Sequence, residues 1–402
     1  MYWLYNISIL IYGLIVRLVA LFNTKAKLFV DGRKDIFKQI NSKIKFDEKP
    51  IWFHFASLGE FEQGRPVLEK IKSLNPKEKI IVTFFSPSGY EIRKNYALAD
   101  GIFYLPIDTP SNARKFLSLV KPKMAIFTKY EFWPNYFKAL ANNQTPLYII
   151  SGIFRPNQVF FKWYGGFYRN VLKCVDHFFV QNDESALLLK SIGITEIDIS
   201  GDTRFDRVFE NAQAPKELAS VKAFCQNSPV LVAGSTWLED EKLLTELATE
   251  NPDWKIIIAP HEIHASHIDE LFKLFPEAIK FSEIDTKPMN SQILIIDNIG
   301  MLSSLYQYGR IAYIGGGFGA GIHNTLEAAA FGLPVIFGPN YQKFQEAKDL
   351  INIGAAKSIG NAKGLITAFD YFKHTEESGT IAKSYVAEKK GATDMIIDRI
   401  LS

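Results

Sequence analysis

The sequence predicts an α/β protein of two doubly wound, Rossmann-like domains facing across a cleft, preceded by an N-terminal membrane-anchor helix. Three observations carry that expectation. Short apolar runs rich in β-branched and aromatic residues alternate with longer amphipathic ones, the pattern of central strands in parallel sheets. The series runs through once, breaks at a polar stretch after Phe205, and starts again. Finally, 402 residues are long for one core and suit two domains of roughly 200 residues each.

The first element is the run from Met1 to Phe22, almost wholly apolar and aromatic. As a helix it would extend about 33 Å, enough to enter a bilayer. A cleaved signal peptide fits poorly, because no positive charge precedes the apolar run and no small-x-small site follows it. Arg17 inside the run would be costly at the bilayer centre, so a full span, an interfacial anchor and a helix packed on the body of the protein all stay open. Lys25, Lys27, Arg33, Lys34 and Lys38 follow at once, which by the positive-inside tendency places the folded part on the cytoplasmic side of a membrane.

The first strand series is expected at 51–56, 80–85, 101–104, 124–127, 147–150, 177–180 and 197–200, the second at 230–233, 254–259, 293–296, 311–314 and 335–337. The domains expected are therefore the anchor 1–22, a first domain 23–207, a linker 208–228 and a second domain 229–402, with the last helix returning to the first domain. Charge is nearly balanced, 46 basic against 43 acidic residues, which gives no argument for nucleic acid. Cys174 and Cys225 stand far apart without a C-x-x-C, as suits a reducing compartment.

Chemistry is expected where strands run into helices, because ligands of such sheets sit at the carboxyl ends of the strands. In the second domain a strand ending at Ile314 meets Gly315-Gly316-Gly317-Phe318-Gly319, and a helix carrying Glu327 in its first turns follows. Bare amides and a helix N-terminus suit an anion, and an acid there suits a vicinal diol. The glycine spacing misses G-x-G-x-x-G, and no P-loop occurs. Close packing of small residues is the other reading. Ser235 and Thr236 follow the strand at 230–233, as phosphate ligands or as helix caps.

In the first domain the strand at 51–56 runs into Ser57-Leu58-Gly59-Glu60, with Arg65 further along the helix. Glu60 is either a general base or the acid of a Ser57-x-x-Glu60 capping box, which would lower its pKa. Glu131, in Tyr130-Glu131-Phe132-Trp133-Pro134-Asn135, is either functional or an acceptor for backbone amides. Arg204 is a phosphate partner or an ordinary salt bridge. His261, His264 and His267 step by three along the chain and fan over about 120° on a helix, which argues against a metal site. His261 and its neighbour Pro260 remain candidates for nucleotide contact.

Taken in order, these segments resemble the 3-deoxy-D-manno-octulosonic acid (Kdo) transferases of Gram-negative bacteria, membrane-attached GT-B glycosyltransferases of lipopolysaccharide biosynthesis. Ser57-Leu58-Gly59-Glu60, Pro87-Ser88-Gly89-Tyr90-Glu91, Glu131-Phe132-Trp133-Pro134-Asn135, Gly201-Asp202-Thr203-Arg204, Ala233-Gly234-Ser235-Thr236-Trp237 and the glycine turn through Glu327 carry the likeness. The resemblance implies transfer of Kdo from CMP-Kdo to the lipid A precursor (lipid IVA), with inversion and with neither metal nor cofactor. It makes Glu60 the base and Glu131 a second essential carboxylate. It matches Ser235, Thr236, Gly315, Gly316, Gly317, Asn324 and Glu327 to the nucleotide site; Arg204, Pro260 and His261 are further donor-side candidates, and Ser57, Gly59 and Arg65 acceptor-side ones. Two positions depart from the family pattern: Arg204 stands where lysine is common, and Pro260-His261-Glu262 replaces Pro-Arg-His. The rivals are a sugar-nucleotide 2-epimerase and a UDP-sugar-dependent GT-B transferase such as lipid disaccharide synthase.

Overall fold

The computed structural model of the chain describes residues 1–286 and 290–402. They form two compact units, Met1–Asp206 together with Lys390–Ser402, and Arg207–Lys389.

The first unit is built on seven parallel strands: β1 (Ile51–Phe55), β2 (Ile80–Phe84), β3 (Gly101–Tyr104), β4 (Met124–Thr128), β5 (Leu147–Gly152), β6 (His177–Val180) and β7 (Ile197–Ile199). Their order is β3-β2-β1-β4-β5-β6-β7, and Ile51 pairs with Ile80 on one side and Met124 on the other. The direction of winding therefore reverses between β1 and β4. Every residue of β1 and β2 is buried, as expected of strands covered on both faces. One face packs Trp52, Phe103, Phe116, Phe127 and Tyr136, the other Phe53, Phe55, Phe61 and Val82. The closing helix of the chain, Ala392–Leu401, lies on that second face, with Ile396, Ile397 and Ile400 buried in it. The N-terminal helix, Tyr2–Val19, has a mean hydropathy of 1.5 and is long and apolar enough to cross a membrane.

The second unit has seven parallel strands of its own: β8 (Val230–Thr236), β9 (Lys255–Pro260), β10 (Ile279–Lys280), β11 (Ile293–Ile295), β12 (Ile311–Ile314), β13 (Val335–Phe337) and β14 (Ala356–Ser358). The order β10-β11-β9-β8-β12-β13-β14 reverses between β8 and β12. All twelve strands expected from the apolar runs are present, and β10 and β14, at the two edges of the second sheet, are additional. Residues 208–228, expected as a linker, carry most of the helix Arg204–Gln213 and the helix Ala219–Cys225.

Candidate active site

In the first unit Glu60 follows β1 and Glu131 follows β4, so the two carboxylates leave the two strands that flank the reversal. That is where an open α/β sheet offers a crevice. Glu60 lies in the first turn of the helix Leu58–Leu74 and accepts a hydrogen bond from the amide of Ala56. The capping-box expectation holds only by half: the Ser57 side chain makes no cap hydrogen bond. The pKa expectation is reversed. Burial first, and the charge of Glu131 second, push the Glu60 carboxyl up to about 8, outweighing the Ala56 and Ser57 amides and the charge of Lys129.

Glu131 is held by side chains, not by backbone amides. Its Oε2 accepts the indole N–H of Trp133 at 2.9 Å and faces His54 Nε2 at 3.3 Å. His54 is fully buried within β1, and its Nδ1 meets Thr83 Oγ1 at 2.9 Å. Thr83 in turn accepts the indole N–H of Trp52 at 2.8 Å. Two tautomers fit the contacts: Nε2–H donating to Glu131 with the Thr83 hydroxyl donating to Nδ1, or Nδ1–H donating to Thr83 with Nε2 accepting the Trp133 indole N–H at 3.2 Å; the first gives Glu131 a second donor. Burial lowers the His54 pKa and keeps the ring neutral, so it orients Glu131 without cancelling its charge. The apolar-run reading missed His54 and Thr83. The available signal was a pair of polar residues inside two otherwise apolar buried strands.

Other candidates in this unit are engaged. Arg65 lies along its own helix against Glu69 at 2.5 Å and Glu62 at 3.7 Å. Arg204 donates through Nε and Nη2 to Asp202 Oδ2, at 2.9 and 2.8 Å, and the same oxygen receives Gln63 Nε2 at 3.0 Å. The salt-bridge reading of Arg204 is thus realised, which leaves its reach toward a phosphate open. Gly59 is exposed, and a Cβ there would meet only Ser57 Oγ, at 3.9 Å.

In the second unit the Ser235–Thr236 segment closes β8 and the glycine turn closes β12, again the two strands flanking the reversal. A Cβ on Gly315 would sit 2.3 Å from the Ser235 carbonyl, so the two loops are in backbone contact. Asp240 pins the turn by accepting the Gly316 amide at 2.9 Å and the Tyr313 hydroxyl at 2.7 Å. Gly316 itself has φ 88°, a conformation that favours glycine. Close packing thus accounts for Gly315, and the turn conformation for Gly316. Thr236 is buried and gives its hydroxyl proton to Glu241 at 2.8 Å, so it offers a ligand its amide and not its hydroxyl hydrogen. Ser235 takes a left-handed conformation, φ 54°.

His261, just past the buried Pro260, stacks between Trp237 and His323 with ring centroids 4.7 and 4.4 Å away. Burial and the neighbouring His261 lower the His323 pKa to about 4, so His323 accepts the Trp237 N–H as a neutral ring. His264 caps the helix Ala265–Leu274, while His267 turns inward to Glu241 at 3.0 Å. The three histidines serve three different partners. Asn324 Nδ2 donates to Glu327 Oε1 at 3.1 Å, which fixes the acid at the start of a helix of only five residues, Leu326–Ala330.

The chain is similar to several known proteins. Residues 32–207 match the family model of 3-deoxy-D-manno-octulosonic-acid transferase (kdotransferase). The 3-deoxy-D-manno-octulosonic acid transferase of Aquifex aeolicus (strain VF5) is 26 % identical over 325 residues, 79 % of this chain and 84 % of the relative. The Rickettsia felis protein of the same name is 29 % identical over 334 residues, 80 % of this chain and 71 % of the relative. Among solved structures, UDP-GlcNAc 2-epimerase from Neisseria meningitidis bound to UDP-GlcNAc superposes with a TM-score of 0.62 at 16 % identity, over 88 % of this chain and 99 % of that one. A glycosyltransferase from Rickettsia africae ESF-5 gives 0.55 at 14 %, over 88 % and 97 %. At such identities these structures share a fold with the chain and nothing more.

Two Rossmann-like units with polar sites at both sheet reversals, in a chain related over about four fifths of its length to named transferases, make this protein an enzyme of the glycosyltransferase class. Within that class, residues 32–207 match the Kdo transferase family model, and the relatives just described are named Kdo transferases.

Proposed function

We propose that this enzyme transfers Kdo from CMP-Kdo to the lipid A precursor, with inversion at the anomeric carbon, and that Glu60 is the general base. The acceptor hydroxyl attacks that carbon and its proton passes to the Glu60 carboxylate. The bond from the anomeric carbon to the phosphate oxygen breaks, and CMP leaves with the electron pair. One observation carries the reading: desolvation and the charge of Glu131 push the half-buried Glu60 carboxyl up to about 8, close to the pH at which a general base works best. Glu131, oriented by His54 and Trp133, keeps that proton affinity high and adds negative charge where an oxocarbenium-like state develops.

The donor nucleotide is assigned to the second unit. Glu327, steadied by Asn324, would accept from the ribose diol, and the amides of Gly315, Gly316, Gly317, Ser235 and Thr236 would meet the phosphate. His261 and Pro260 would line the same place, and Arg204 would add positive charge. Together these groups would take up the charge of departing CMP without a metal ion. The acceptor would lie beside Ser57, Gly59 and Arg65. The site of action is the cytoplasmic face of the inner membrane, where a lipid acceptor remains in its bilayer.

Purified protein incubated with CMP-Kdo and tetra-acylated lipid A precursor should yield a product heavier by one or more Kdo units. In thermal-shift measurements CMP should stabilise the protein more than UMP or UDP. A larger shift with UDP, together with turnover of a UDP-sugar, would overturn the donor assignment.

A further inference from the structure

The N-terminal helix lies along the first unit over most of its length. Tyr2 donates to Asn135 at 2.8 Å, Tyr5 donates to Asp108 at 2.6 Å, and Asn6 accepts from Asn135 at 3.0 Å. Three turns from Tyr2, the Tyr12 ring stacks on Phe85 and Gly13 is buried against Ile107. One stripe of the helix is therefore docked from Tyr2 to Gly13, and the opposite stripe is bare apolar surface. Trp3, Leu10, Leu14 and Leu18 are 64, 62, 60 and 58 % exposed.

Cations lie at both ends of the helix. At the first turn the Lys138 ammonium lies 4.7 Å over the Tyr2 ring, and Arg114 lines the same hollow of about 420 Å³. At the last turn come Arg17 and Lys34, with exposed Lys25 and Lys27 just beyond. A spanning helix of 18 residues would separate its ends by about 27 Å, and its docked stripe would draw the surface bearing Arg114 and Lys138 to hydrocarbon depth. Nor would a span carry cations at both ends, since they gather on one side of a membrane.

An aromatic pair stands on the same unit near the first turn. Trp163 is 92 % exposed beside Tyr164, at a 5.5 Å edge-to-face contact. Their loop is a built one, because Arg169 Nη1 donates to the carbonyls of Phe160 and Lys162 at 3.1 and 2.8 Å. Phe167, four residues on, packs against both Tyr2 and Tyr5. Amphipathic rings held at a surface in this way suit the headgroup level of a bilayer.

We propose that the helix lies in the plane of one leaflet, its bare stripe sunk among acyl chains and both ends on the same aqueous side, and that Trp163 and Tyr164 form a second contact with the same anionic lipid surface. The inference rests on the membrane attachment proposed above and not on which sugar is transferred.

The test uses the full chain carrying Cys174→Ser and, singly, Leu4→Cys, Ile11→Cys or Leu18→Cys, each labelled with NBD and added to vesicles of phosphatidylethanolamine and phosphatidylglycerol. Spin labels at acyl carbon 5 or carbon 12 report depth. All three positions should be quenched mainly by the shallow label, with ratios agreeing within about twofold. Deep quenching at position 11 alone would mean a span and overturn the in-plane helix while leaving membrane attachment intact. No quenching at any position would overturn attachment itself, as when a second copy of the chain covers the stripe. Trp163→Ser with Tyr164→Ser should lower vesicle partitioning at least fivefold without shifting Tm, and unchanged partitioning would remove the loop from the proposal.

Discussion

Glu60 sits in a helical first turn, where amides should hold a carboxyl charged, yet burial and the charge of Glu131 prevail and push it up to about 8. The consequence for stability has a definite sign. Between the ordinary value of 4.5 and about 8 the folded chain keeps a proton that the unfolded chain has released, so stability falls as pH rises through that window. Glu60→Gln removes the penalty. Relative to wild type it should gain on the order of 4 kcal/mol at pH 8.5 and less than about 0.5 kcal/mol at pH 4.5, while transfer drops about 10²–10⁴-fold. Urea unfolding at the two pH values checks the first part, and a gain independent of pH would disprove it. Trp133→Phe keeps a ring against Phe85 but takes one donor from Glu131. Transfer should fall roughly tenfold, as expected for one hydrogen bond to a charged group. His54→Asn bears on the same support, and its transfer activity should fall below that of Trp133→Phe, since it also removes the Thr83 partner at Nδ1.

At the level of elements the glycine turn after β12 separates packing from chemistry. A Cβ on Gly317 would lie 2.6 Å from the backbone nitrogen of Gly338, whereas one on Gly319 would meet nothing nearer than 3.7 Å. Gly317→Ala should therefore cost about 2–4 kcal/mol in unfolding of the second unit, and Gly319→Ala less than about 1 kcal/mol. Equal effects in thermal melts would mean that the turn relaxes and that its glycines serve a ligand instead. The strands were legible because a parallel strand buried on both faces has to be apolar throughout, as Ile51–Phe55 and Ile80–Phe84 nearly are. The edge strands Ile279–Lys280 and Ala356–Ser358 escape that rule: each has one neighbour, and a residue such as Lys357 needs no apolar cover. For the same reason Glu60 and Glu131 could be picked out by their place after strands, but the His54 contact could not. It joins residues 77 apart, and only the pairing of β1 with β4 brings them together.

For the whole chain, the division of stability does not follow the division of sequence. The first unit is discontinuous, closed by residues 390–402 after the entire second unit has intervened. Ile396, Ile397 and Ile400 complete the face formed by Val67, Leu68 and Ile71, and at about 1.5–3 kcal/mol each they contribute on the order of 6 kcal/mol. Asp206 adds a polar tie, accepting the amides of Gly391 and Thr393 and the Thr393 hydroxyl. That sum is comparable to the total stability of an ordinary domain. A chain ending at Lys389 should then lose the folded state of its first unit and keep that of its second, although every residue removed lies beyond the second unit. Circular dichroism melts and limited proteolysis should show fragments of the first unit vanishing while 207–389 survives intact. Residues 207–389 expressed alone should melt cooperatively, because both edges of their sheet and their own core belong to that segment. Native melting of the truncated chain would refute the assignment of the closing helix, since a helix that only decorates the surface can be lost without unfolding what lies beneath it.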